Sequence, residues 1–345
     1  MFVSKCAALF LLTPVLFFVS KPIPAQTEKP SVSSPVSGED ETDLRGNELT
    51  RAIRADLAAE KFENLDRMAA AFRAQKSRLK GGEWKLSAFY DALDDSKDTD
   101  EEIQKHIALL NRWIAQRPES ITPRVAVAFT LHRWAWVARG NGMADSVTPQ
   151  GWKLFEERIE QSRKVLEAAA KLREKCPVWY SDMMIVGLAQ DWDASRMKKL
   201  YEQAVQFEPE YYDFYKKRAT LLLPKWGGES GEAVAFAKEA ADNLGGEAGD
   251  EIYFHIAISI IGHNGKNYGV HKMDWPRIQK GYEALTAKYE STNSLKNEIA
   301  FLAWKFQDAA YAKQQFALIG DHWNRGVWKD RERFDQARDW AQGHS

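Results

Sequence analysis

The chain has 345 residues, of which 44% are hydrophobic and 28% are charged, and its formal net charge is −1. A chain of this length can bury a substantial core, and a mean hydropathy of −0.50 is typical of a globular protein in water. The near-neutral charge excludes the strongly basic composition typical of nucleic-acid-binding proteins. We therefore expect no nucleic-acid partner.

Residues 1–25 have the organisation of a secretory signal peptide. Lys5 precedes an apolar run over residues 7–19, and Ala25 is a small residue suited to the cleavage site. The apolar run is shorter than the roughly 20 residues that a membrane-spanning helix needs. We predict a bacterial protein that is periplasmic or secreted, with no membrane span after signal cleavage.

The next segment, residues 26–46, is predicted to be a flexible linker. It is rich in Ser, Pro and Glu and contains almost no large apolar residue. A single helical domain is expected over residues 47–345. Without residues 1–25, which contain two lysines and no acid, the chain carries a net charge of −3 and its single thiol is Cys176. The domain must therefore be stabilised by its core, and we expect Cys176 to be a small buried side chain.

Amphipathic helices joined by short turns account for this domain. Apolar residues recur at helical spacing, and Phe72 and Leu302 are predicted core positions on this basis. Thr99 begins a capping-box pattern, and Thr122 and Thr148 each precede a proline, as an N-cap residue does before the first turn of a helix. Because no segment alternates apolar and polar residues as a strand does, we predict an all-α fold.

Two parts of the helical region are similar at a separation of 91 residues. The matched pairs are Leu109 and Leu200, Ile114 and Val205, Pro118 and Pro209, Ala128 and Ala219, and Leu131 and Leu222. The spacing of Tyr201, Ala204 and Pro209 fits part of a tetratricopeptide repeat. We therefore predict tetratricopeptide-like stacked helical hairpins, an α-solenoid in one curved domain, which the amphipathic segment over residues 327–341 caps.

Five groups of residues resemble a known family. They are Gly82-Glu83-Trp84-Lys85-Leu86 with Phe89-Tyr90-Asp91, Ala138-Arg139-Gly140 with Ala144-Asp145, Gly151-Trp152, Cys176-Pro177-Val178-Trp179-Tyr180, and Leu223-Pro224-Lys225-Trp226. Together they resemble the bacterial domain-of-unknown-function 4034 family, over about residues 47–340. The resemblance implies tetratricopeptide-like helices. It implies no catalytic residue, because the family is functionally uncharacterised.

The loop over residues 139–148 is a candidate ligand-binding site. It offers the guanidinium of Arg139, the amide of Asn141 and the carboxylate of Asp145 ahead of a helix N-terminus that can bind an anion. The alternative is that Arg139 pairs with Asp145 and only stabilises the loop. Trp226 is the tryptophan that we expect to be partly exposed, since the glycines after it let a partner approach the backbone.

The sequence contains no motif for a cofactor or a metal. His255, His263 and His271 are eight residues apart, whereas two metal ligands on one helical face are four apart, and a second thiol is lacking. The chain also has no nucleophile elbow, phosphate-binding loop or dinucleotide fingerprint. We expect no cofactor and no metal.

The predicted function is a protein- or peptide-binding module, because stacked helical hairpins present a concave groove to an extended partner. The alternative is an α/α-toroid enzyme that acts on envelope or other polysaccharide, which requires two acids facing each other in a deep cleft. A purely structural envelope protein is a third possibility. We favour the binding module over an enzyme.

Overall fold

A computed structural model describes residues 41–94, 99–140, 142, 144–262 and 272–344, with side chains from residue 48 onward. These residues contain sixteen α-helices and no named strand, so the all-α prediction is confirmed. None of these helices combines the length and the apolar character needed to cross a bilayer. The predicted signal peptide lies outside the described residues, as does most of the predicted linker, whose last residues belong to the first helix.

The helices are α1 (Glu41–Ala58), α2 (Phe62–Gln75), α3 (Lys85–Leu93), α4 (Asp100–Gln116), α5 (Thr122–Arg139), α6 (Pro149–Ala170), α7 (Pro177–Ala189), α8 (Ala194–Phe207), α9 (Asp213–Leu221), α10 (Glu232–Leu244), α11 (Gly246–Gly262), α12 (Trp275–Tyr289), α13 (Asn293–Lys305), α14 (Ala309–Ile319), α15 (Arg325–Trp328) and α16 (Arg331–Gly343). Single 3-10 turns occur at Lys80–Gly82, Ala144–Ser146 and Pro224–Trp226.

Side-chain caps begin several helices where the sequence predicts them. The hydroxyl of Thr99 accepts a hydrogen bond from the Glu102 backbone N–H at 3.3 Å, and that of Thr148 accepts one from Gly151 at 3.0 Å. Thr122 differs from this prediction, because it is the first residue of α5 and not its cap. Its buried hydroxyl instead accepts a hydrogen bond from Arg73 of α2 at 3.3 Å.

Helices that follow each other along the chain pack together. α5 packs on both α4 and α6, α11 on both α10 and α12, α8 on α9, and α13 on α14. In addition α5 contacts α7, α7 contacts α9 and α9 contacts α11, so these four helices form a central row. The predicted repeat agrees with the helix boundaries, because α5 and α9 begin 91 residues apart, at residues 122 and 213. This arrangement is compatible with stacked helical hairpins.

The C-terminal helices have an apolar cluster of their own. Phe316, Trp328, Phe334 and Ala337 are buried together, on α14, α15 and α16. The predicted amphipathic segment over residues 327–341 therefore buries its apolar face against α13 and α14. A larger cluster extends from α1 to α13 and forms the main core.

Residues 78–94 fold back onto the central row. The indole Nε1 of Trp84 donates a hydrogen bond to the Glu210 carbonyl just before α9, at 3.3 Å. Gly82 has a φ of 77° and lies so close to α12 that a Cβ atom there would be 2.5 Å from Cδ1 of Leu285. Only glycine fits this conformation and this space. The turn before α3 is therefore held between α9 and α12.

Truncation of a core leucine tests the helical phase of α13. Leu302 is 1% exposed, so we expect Leu302→Ala to lower the free energy of unfolding by about 2 to 5 kcal/mol. Phe72 is only half-buried, and its truncation should cost less than that of Leu302. Chemical denaturation measures each change.

Leu318→Ala is the matched control, because Leu318 on the neighbouring α14 is 62% exposed. Its effect should stay within about 0.5 kcal/mol. Equal losses for Leu302→Ala and Leu318→Ala would show that the phase of α13 or α14 is wrong.

Candidate functional site

Polar faces of α3 and α9 meet beside the central row. Ser87 and Asp91 are one turn apart on α3, and Glu83 lies two residues before this helix. The Ser87 hydroxyl donates a hydrogen bond to Oδ2 of Asp213 at 3.1 Å, and Nζ of Lys216 donates one to Oδ1 of the same carboxylate at 3.3 Å. The two faces are therefore in direct contact.

We call this region the inner polar surface; it consists of Glu83, Ser87, Asp91, Asp213, Lys216 and Lys217. Two backbone features position it. Asp213 lies in the first turn of α9, where the positive end of the helix dipole stabilises a carboxylate. The Ser87 hydroxyl also shares a 2.7 Å hydrogen bond with the hydroxyl of the buried Tyr211. These contacts fix α3 against the start of α9.

Two carboxyl groups of the inner polar surface have raised pKa values. Burial, reinforced by the negative charges of Asp91 and Asp213, raises the pKa of Glu83 to about 7. Burial and Asp213 likewise raise the pKa of Asp91 to about 6. Both residues are nevertheless exposed to solvent. Water therefore reaches both carboxyl groups, and we call the exposed region beside them, where the α3 segment meets α9, the recess.

Asp213 has the opposite protonation preference. Burial raises its pKa, but the charges of Lys216 and Lys217 and the hydrogen bond from Ser87 outweigh this, and the net pKa lies below the usual value. The recess therefore holds proton-retaining acids, such as Glu83, beside an ionised carboxylate. Together they can donate and accept hydrogen bonds at neutral pH.

A buried histidine and aspartate lie on the central row next to this recess. Nδ1 of His132 on α5 is 3.9 Å from Oδ1 of Asp182 on α7, which is too long for a hydrogen bond. Burial, with the charges of Lys217 and Arg133, lowers the pKa of His132 to about 3, and burial raises the pKa of Asp182 well above its usual value. His132 is therefore neutral at pH 7, and the carboxyl group of Asp182 holds its proton more strongly than that of an exposed aspartate.

Three buried polar atoms in this region have no hydrogen-bond partner among the described residues. They are Nδ1 of His132, Oγ of Ser181 and Oδ2 of Asp182. Buried polar groups are normally satisfied, so each unpaired atom needs an explanation. Because all three atoms are buried, they lie out of reach of a ligand at the protein surface.

His255 on α11 lies on the other side of α9. Its ring stacks on Tyr212, with centroids 4.1 Å apart and an interplanar angle of 18°, and its Nε2 has no partner among the described residues. Burial and the charge of Lys216 lower the pKa of His255 to about 3. The ring is therefore neutral, and it offers Nε2 for hydrogen bonding.

The predicted loop site is only partly described. Nη1 of Arg139 donates hydrogen bonds to the carbonyls of Gly140 and Gly142, at 3.2 and 3.1 Å. Asp145 is exposed, and both the ligand-binding loop and the alternative of an Arg139–Asp145 pair stay predictions. Asn141 lies outside the described residues.

Arg139 and Trp226 are brought together by Trp136. The ring centroids of Trp136 and Trp226 are 5.8 Å apart, and the guanidinium carbon of Arg139 is 5.4 Å from the ring centroids of both Trp136 and Trp152. Trp226 is half-buried, and its Nε1 has no hydrogen-bond partner among the described residues. We call these four residues the tryptophan edge. Asp145 is not placed with them by any contact.

The inner polar surface was missed by the sequence analysis. The spacing of Ser87 and Asp91, and that of Asp213 with Lys216 and Lys217, could have identified two polar helix faces. Nothing in those spacings shows that the two faces meet, because the contact joins residues that are 126 positions apart.

The described residues offer no evident site for a metal or a reactive thiol. They contain no group of three or more His, Cys, Asp or Glu side chains placed to hold a metal ion. Cys176 is buried as predicted, 3.5 Å from the Tyr90 hydroxyl, and burial raises the pKa of its thiol. A buried thiol of raised pKa is chemically inert.

Comparison with known proteins identifies one family. Residues 50–185 match the family described as Domain of unknown function (DUF4034). The predicted resemblance is confirmed over these residues. This DUF4034 segment ends within α7 and so includes the α3 side of the inner polar surface but not Asp213 or the two lysines. No curated protein and no solved structure matches the chain.

The pKa of Glu83 predicts a dependence of stability on pH. Because the pKa of about 7 in the folded protein lies above the usual 4.5, the folded state binds more protons than the unfolded state between these values. The contribution of Glu83 to the free energy of unfolding is thus present below about pH 4.5 and is lost as the pH rises through about 7. Chemical denaturation from pH 4 to 8 should show wild type losing stability relative to Glu83→Gln.

Glu156→Gln on the exposed side of α6 is the control for this comparison. The difference in free energy of unfolding between wild type and Glu156→Gln should not show this dependence on pH. If the free energies of unfolding of wild type and Glu83→Gln differ by a constant amount from pH 4 to 8, the raised pKa of Glu83 is contradicted.

Proposed function

We propose that this protein is a binding module for a protein or peptide partner, which it contacts through the inner polar surface. The main support is that charged groups of this surface are accessible to a partner. Glu83 and Asp91 are exposed there, and the side chain of Lys216 is 36% exposed. Charges of both signs in one recess suit a peptide, which carries amide donors and acceptors as well as charged side chains.

Lys216 and Lys217 supply the positive charge of the inner polar surface. Lys216 and Lys217 follow each other on α9, and their charges act on acids of α3, α7 and α9. A partner with an acidic side chain can bind these lysines, while the protonated form of Glu83, whose pKa is about 7, donates hydrogen bonds to its carbonyl oxygens.

The tryptophan edge lies near the C-terminal ends of α5 and α9, and α9 also carries Asp213, Lys216 and Lys217 of the inner polar surface. Trp136 is one turn beyond His132 on α5, and Trp226 follows the end of α9. Aromatic and arginine side chains often dominate the free energy of binding at protein interfaces. An extended peptide that crosses the recess along α5 and α9 would reach this edge. Residues 1–25 support the further proposal that the protein meets its partner in the periplasm or outside the cell.

A second candidate function is the hydrolysis of a polysaccharide. It is favoured by one observation, which is that Glu83 and Asp91, with raised pKa values, lie near Asp213, with a lowered one. Glycosidases use such a pair of a protonated acid and an ionised carboxylate. In this case Glu83 or Asp91 would donate a proton to the leaving oxygen and Asp213 would act as base or nucleophile.

A capture experiment tests the binding proposal. The purified protein is immobilised and exposed to an envelope and secreted-protein extract, with Lys216→Ala/Lys217→Ala in parallel. We expect wild type to retain a protein that the double variant loses, because the partner then loses the two lysines that bind its acidic side chain. Circular dichroism checks that the variant is folded.

The neighbouring helix α8 supplies a matched control, Lys198→Ala/Lys199→Ala, since both of these lysines are exposed. This control should retain the partner. Equal retention by both double variants would overturn the proposed surface. Release of reducing sugar from polysaccharide by wild type, with loss in Asp213→Asn, would instead favour the enzyme.

A further inference from the structure

A cavity of about 410 Å³ lies between α11, α13, α15 and α16. This volume is in the range of sites that bind small molecules. Its wall is apolar at Ile258, Phe301 and Val327 and polar at Glu298, Lys329 and Arg333. The charge of Lys216 acts on Glu298, so the cavity lies near one end of the inner polar surface.

The cations of this cavity have no acidic partner among the described residues. The guanidinium of Arg333 packs over the rings of Phe301 and Trp304, at 5.1 and 5.7 Å from their centroids, and makes no ion pair there. Nζ of Lys329 donates a hydrogen bond to the Gly326 carbonyl at 2.7 Å and likewise has no carboxylate partner. Two positive charges are thus available to an anion at this side of the cavity.

Glu298 is the one acid in the cavity wall, and it does not oppose an anion at mildly acidic pH. Burial raises the pKa of Glu298 to about 7, and the charge of Lys216 on α9 only partly offsets this. Below that pH the carboxyl group is neutral and can donate a hydrogen bond. It makes no ion pair among the described residues.

We propose that this cavity binds an amphipathic carboxylate, whose apolar group packs between Ile258, Phe301 and Val327 and whose carboxylate binds Arg333 and Lys329. A peptide that ends in a large apolar residue has this chemistry, and so does a free fatty acid. If the ligand is a peptide, the cavity is a subsite of the binding surface and the inference rests on the proposed function. If the ligand is a fatty acid, the inference does not depend on the proposed function.

Glu298 distinguishes the two sources. A peptide has an amide carbonyl next to its terminal residue, and the protonated Glu298 can donate a hydrogen bond to it. A fatty acid has no such group. Removal of the Glu298 carboxyl therefore weakens the binding of a peptide and leaves that of a fatty acid unchanged.

Calorimetry on the whole protein at pH 6 tests the inference with four probes. N-acetyl-phenylalanyl-leucine and decanoate carry the carboxylate, while N-acetyl-phenylalanyl-leucinamide and decanol are their neutral analogues. We expect at least one carboxylate to bind about tenfold more tightly than its analogue, since the bond from a guanidinium is charge-assisted. Arg333→Gln should abolish that preference.

Arg338→Gln is the matched control, because Arg338 is on the same helix but bonds Asp321 and Asp335 instead of lining the cavity. This variant should keep the preference for carboxylate. Equal binding of carboxylates and neutral analogues, or no binding of any probe, would overturn the inference.

Glu298→Ala then distinguishes a peptide ligand from a fatty acid. Tight binding of the dipeptide that weakens about tenfold in Glu298→Ala supports the peptide. Tight binding of decanoate that the substitution leaves unchanged supports the fatty acid. Because the probes are small molecules, a failure here leaves the capture result intact, and a failure of capture leaves this test intact.

Discussion

The burial of Trp84 is the contact on which the candidate site depends. Its indole is 1% exposed, lies 5.0 Å from the Tyr211 ring and 3.4 Å from the Arg78 guanidinium, and donates a hydrogen bond to Glu210. An aromatic side chain of this size contributes several kcal/mol when buried. The anchored indole holds α3 against α9, so its polar face, including Ser87, lies on the central row.

This placement explains the electrostatics of the inner polar surface. Acids on an isolated helix would face water, but α3 and α9 bring Glu83, Asp91 and Asp213 into one recess. Three negative charges this close together would repel one another. Lys216 and Lys217 stabilise the charge of Asp213. The two other acids therefore keep their protons to higher pH, which gives the recess hydrogen-bond donors and acceptors together.

Much of the fold could be predicted from local patterns. The caps at Thr99 and Thr148 and the buried Leu302 follow from spacing alone. The fold-back of residues 78–94 could not be predicted, because it depends on contacts with residues more than a hundred positions away. The sequence around Gly82 likewise does not show its positive φ or its close approach to Leu285 of α12.

A double-mutant cycle on Ser87 and Asp213 tests the contact of α3 with α9 most directly. The free energies of unfolding of Ser87→Ala, Asp213→Ala and the double variant are compared with that of wild type. We expect the two effects to be non-additive by about 0.5 to 3 kcal/mol, because the side chains share a hydrogen bond at 3.1 Å. Additive effects would contradict the contact and with it the inner polar surface.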